Sequence, residues 1–84
     1  MKFKKLETLD VKMTLLKPFG TASFKKVSSD RVYHIMYGQV NIVIDKELMP
    51  FYTNDVVLVK QNQSVKVINI TDQEISFTTV ASKK

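Results

Sequence analysis

The chain offers few side chains that could carry out chemistry. It has one histidine, His34, and no cysteine. An imidazole can act as a general base or activate a nucleophile, but only with a partner in hydrogen-bond reach. No serine, cysteine or aspartate stands beside His34 in the sequence, so nucleophilic catalysis has no support there. A lone histidine is ordinarily a polar surface or interface residue, and His34 is read that way. Tyr33, Tyr37, Phe51 and Tyr52 could stack a flat ligand such as a sugar. Aromatic side chains on short strands are more often core, and core is the expectation.

The rest of the composition narrows the field. Eighty-four residues make one domain at most, expected to span 1–84 with its ordered core over about 9–80. So short a chain buries only about 60–65% of the surface it exposes when unfolded. Small domains commonly add disulfides, metals or self-association. The lack of cysteine removes disulfides and thiolate sites and fits a reducing compartment. Association with a second copy is the route that remains. No apolar run approaches the roughly 20 residues of a membrane helix, and the N-terminus lacks a signal-peptide core. The chain is therefore read as soluble and intracellular, with no membrane partner.

The formal charge is +5, yet Lys2, Lys4, Lys5, Lys83 and Lys84 supply that excess from the two ends. Between residues 6 and 82, seven lysines and one arginine face eight acids. Binding nucleic acid takes a basic face that displaces counterions from phosphates, so this domain is not expected to bind it directly. The terminal lysines are read as solvated ends, dispensable for folding.

Hydrophobicity alternates with period two along most of the chain. Leu9, Val11, Met13 and Leu15 alternate with Asp10, Lys12 and Thr14, the pattern of a half-buried strand. Lys17-Pro18-Phe19-Gly20 forms a turn in which glycine can supply the positive φ. Short strands are expected at 21–26, 32–37, 39–44, 48–49 (cut off by Pro50), 56–59, 65–70 and 75–80. Turns at Ser28–Asp30, Asp45–Glu47, Thr53–Asp55, Lys60–Gln63 and Thr71–Glu74 separate them. Seven or eight short strands at this spacing predict an all-β sandwich or small barrel.

This order of strands and turns resembles the cupin superfamily, whose small double-stranded barrel, or jelly roll, is built around two motifs. Val32-Tyr33-His34-Ile35-Met36-Tyr37-Gly38-Gln39-Val40-Asn41-Ile42 is similar to the end of the first. Asn54-Asp55-Val56-Val57-Leu58-Val59, the loop Lys60–Gln63, Val65 and Asn69 are similar to the second. The resemblance covers about Leu9 to Val80. It implies metal ligands, two histidines and a glutamate from the first motif and a histidine from the second, at about Lys25, Val27, Arg31 and Val65. None of these side chains is a usual ligand, and sliding the alignment to bring in Asp30 still leaves the histidines missing. The expectation is no metal, no cofactor and no catalysis. A metal-dependent dioxygenase or isomerase fails for lack of ligands.

In its size, in the run Tyr33 to Val40, in Asn62 of the loop and in Val67-Ile68-Asn69-Ile70, the chain most resembles, among metal-free cupins, the C-terminal dimerisation domain of the centromere protein C family. That resemblance implies a homodimer within a kinetochore scaffold, in the nucleus at the centromere, with other scaffold proteins as further partners; without it the location is cytoplasmic. Counting from the glutamate position, residues 31, 33 and 35 face the barrel and 32, 34 and 36 face out. Ile35, Val57, Val59, Val65 and Val67 are assigned to the barrel interior. Val32, His34, Met36, Val43, Ile68 and Ile70 are assigned to one outward patch, the dimer interface, unless an N-terminal strand covers it. The alternative is a metal-independent cupin that binds a sugar or organic acid in its barrel.

Overall fold

The computed structural model describes residues 9–27 and 29–82, and the terminal lysines lie outside that range. Eight strands follow in order: β1 (Leu9–Leu16), β2 (Thr21–Phe24), β3 (Arg31–Tyr37), β4 (Val40–Ile44), β5 (Glu47–Phe51), β6 (Val56–Val59), β7 (Val65–Asn69) and β8 (Ile75–Ser82). They form two antiparallel four-stranded sheets, β1-β8-β3-β6 and β2-β7-β4-β5. Strands joined by the shortest connection need not share a sheet. Gly38 and Gln39 carry the chain from β3 in the first sheet to β4 in the second.

The inward faces meet in a core of Tyr33, Ile35, Val40, Ile42, Val59, Val65, Val67, Ile75 and Phe77, with Val57 packed at its margin. Because strand side chains alternate, every second residue of β3, β7 and β8 enters this layer. Buried Asn69 ties the sheets together at one end. Its side-chain amide donates to the carbonyls of Leu16 (3.2 Å), Lys17 (3.0 Å) and Gln73 (2.7 Å). Its Oδ1 accepts from the Thr71 backbone N–H (2.9 Å) and hydroxyl (2.8 Å). The asparagine of the second motif is thus a structural clasp.

Several expectations need correction. β1 is not half-buried on its apolar side: Val11, Met13 and Leu15 point outward at 59–63% exposure. Asp10, Lys12 and Thr14 take the inward side, since Lys12 stands opposite Thr79 and Thr79 opposite buried Tyr33. In the 17–20 turn Phe19, not Gly20, has the positive φ of 58°. β5 continues through Pro50, which is tolerated because β5 is an edge strand of the second sheet.

Candidate functional site

Two regions stand out, one on the surface and one between the sheets. On the outward face of the first sheet the register aligns Val11, Val80, Val32 and Leu58 in one row across all four strands. The next row is Met13, Thr78, His34 and Val56. Leu15 and Ser76 continue the face toward Met36 and Tyr37, where β3 slips register against β8. Val56 is 59% exposed and Leu58 50%. Among the described residues, none of these outward positions on the four strands holds Asp, Glu, Lys or Arg. The outward apolar side of β1 departs from the sequence expectation, because alternation fixes which residues share a face but not which face meets the core, whereas Val57 and Val59 of β6 face inward as expected.

The six residues expected to form one interface do not lie together. Val32, His34 and Met36 belong to the outward face of the first sheet. Val43 and Ile68 lie on the outward face of the second, with Ile70 just beyond β7. In a two-layer fold those faces look in opposite directions. Val43 there lines a cavity of about 460 Å³ with Lys25, Lys26 and Lys66. β1 does not cover the first sheet's outer face; it joins that sheet at its edge and widens the face.

The second region is the mouth between the sheets at the start of β3. Asp10, Lys12, Thr14, Phe24, Arg31, Thr79 and Ala81 line a cavity of about 260 Å³. Arg31 Nε and Tyr33 Oη are both buried without a hydrogen-bond partner. Burial pushes the Tyr33 phenol above its ordinary pKa of 10.0; the neighbouring Arg31 pulls it back by polar contact and charge, without closing a hydrogen bond of full geometry. Of the positions that the metal-ligand pattern designates, Val27 and Val65 are buried aliphatics, Lys25 is exposed and Arg31 is the orphaned cation. This donor set does not fit a divalent metal. Among the described residues no three His, Asp or Glu side chains gather elsewhere as an alternative. Asp30 serves a loop, accepting from the Gln61 backbone N–H at 2.8 Å. His34 stays on the outer face, and of Tyr33, Tyr37, Phe51 and Tyr52 only Tyr33 is fully buried in the core. Tyr37 and Tyr52 are exposed and flank an open groove at the other end of β3.

No protein-family model matches the chain, and no curated protein matches it in sequence. Solved structures do. The chain superimposes on the cupin domain of Schizosaccharomyces pombe Cnp3 with a TM-score of 0.83 at 10% identity, over 99% of this chain and 58% of that one. It matches the Cupin_2 domain of an XRE family transcriptional regulator from Enterobacter cloacae with a TM-score of 0.84 at 15% identity, over 98% and 90%. The fold is a cupin barrel. The plu4264 protein of Photorhabdus luminescens is similar as well, with a TM-score of 0.87 at 17% identity over 92% of this chain. The chain spans 64% of that protein's length. At these identities the likeness establishes the fold. What the chain does must come from its own side chains.

Proposed function

We propose that this cupin is a non-catalytic, metal-free assembly module that pairs with a second copy of itself through the outward face of its first sheet. One observation carries the reading. Val11, Met13, Leu15, Val56 and Leu58, each at least half exposed, join Val32 and Val80 in an uncharged apolar face four strands wide. Strands about 4.8 Å apart and up to eight residues long give a footprint of roughly 500 Å². Soluble monomers rarely keep contiguous apolar patches beyond a few hundred Å² open to water.

A second copy is the occupant that fits. A face with no charge meets its own image across a two-fold axis without setting like charges together. The modest footprint points to a small interface and hence a dimer of micromolar rather than picomolar affinity. The sequence resemblance to the dimerising cupin of the centromere protein C family supports a finer reading, a kinetochore scaffold in the nucleus. Sedimentation equilibrium of the chain across micromolar concentrations tests the pairing. A dimer that dissociates on dilution is expected; a monomer at the highest concentration contradicts it.

A further inference from the structure

The outer face leaves the barrel mouth unexplained, and Arg31, which lines that mouth, has a buried Nε without a hydrogen-bond partner. We propose that it is an oxyanion site, in which Arg31, beside Lys12, Thr14 and Thr79, holds the carboxylate or phosphate of a small molecule at the position where the cupin pattern would put a metal-binding carboxylate. The disagreement between the pattern and the residues here is a reversal of charge. Where the pattern would present a carboxylate to a cation, this chain presents the Arg31 guanidinium.

The large majority of buried side-chain polar atoms find a hydrogen-bond partner, and leaving one without is costly. Arg31 Nε and Tyr33 Oη are both without one. They stand two residues apart on β3, so their side chains share the inward face. An Nε–H can only donate, and a neutral phenol donates readily. An acceptor for the Arg31 Nε–H is what the site lacks, and the buried Tyr33 hydroxyl beside it does not supply one. A guanidinium also favours a charged acceptor, since hydrogen bonds between ionised partners are roughly twice as strong as neutral ones.

The surroundings agree. Lys12 brings a second cation into the cavity, and Thr14 and Thr79 bring hydroxyls. Asp10 also lines it, on the row of Arg31 but two strands away. Two cations against one carboxylate leave the mouth net positive. A volume of about 260 Å³ is below the range of drug-sized pockets, so the ligand is a compact acid.

The test is calorimetric titration of the full chain with succinate, inorganic phosphate and, as the neutral control, succinamide. Saturable binding of succinate or phosphate, with succinamide inert, is expected; which anion binds tells carboxylate from phosphate. Arg31→Met should weaken that binding at least tenfold, and Arg31→Lys nearly as much, because lysine keeps the charge but loses the fork. Should Arg31→Met fail to fold, exposed Lys12→Met serves instead, with a several-fold loss expected. The proposal is overturned if neither anion binds at millimolar concentration, if succinamide binds equally well, or if the folded variants bind as the parent does. Because the mouth and the outer face are separate, this result is independent of the oligomeric state.

Discussion

Gly38 lies directly against Ile75: a Cβ added to the glycine would overlap the Ile75 Cγ2 and come within 2.9 Å of its Cβ. The φ of Gly38 is +111°, a conformation L side chains rarely adopt. Its backbone N–H donates to Thr53 Oγ1 at 3.0 Å, so the crossing between the sheets is held from outside as well. Gly38→Ala should therefore destabilise the barrel by about 2–4 kcal/mol, through overpacking and backbone strain together. Urea unfolding measures this, and a loss under 1 kcal/mol would mean that the turn rearranges freely.

Asn69 makes a second prediction. Replacing it with leucine keeps the size but leaves the carbonyls of Leu16, Lys17 and Gln73 without their shared donor. A loss of about 3 kcal/mol is expected, the combined cost of several unsatisfied groups near the end of the core. Hydrogen exchange should show it as faster opening at the ends of β1 and β7. A neutral effect would show that the clasp does not hold those ends.

Tyr33→Phe removes an orphaned buried hydroxyl, so without added anion it should be neutral or stabilising by up to about 1 kcal/mol. The raised pKa gives the sign of the pH effect. Below the ordinary value both folded and unfolded tyrosines are protonated and contribute nothing. Above about 10 the unfolded chain ionises first, so stability falls as pH rises. The variant should lose part of that alkaline decline in paired denaturation curves at pH 8 and pH 11. Identical declines would contradict the assignment.

The strands were legible because period two survives in almost every one of them. The core of Ile35, Val59, Val65 and Val67 followed from the same parity. What alternation does not encode is which side of a strand meets the partner sheet. The alternation of Val11, Met13 and Leu15 is that of a half-buried strand, yet these three face out, and the polar residues between them line the mouth. Pairing also stayed hidden: β3 and β4 are neighbours in sequence but lie in different sheets, which is why Met36 and Ile68 seemed to share a surface. Arg31 was placed in the barrel by its parity, but its orphaned Nε appears only once Tyr33 and its neighbours are packed around it.

In the proposed pairing, one outer face, and not the other, makes the assembly. Met13→Asp and Ile68→Asp place the same charge on the outward faces of the first and second sheets respectively. Sedimentation equilibrium of both, beside the parent chain, separates the two faces. Met13→Asp should be monomeric at concentrations where the parent is dimeric, while Ile68→Asp stays dimeric and both keep the β-type far-ultraviolet spectrum. A dimeric Met13→Asp together with a monomeric, folded Ile68→Asp would contradict the account.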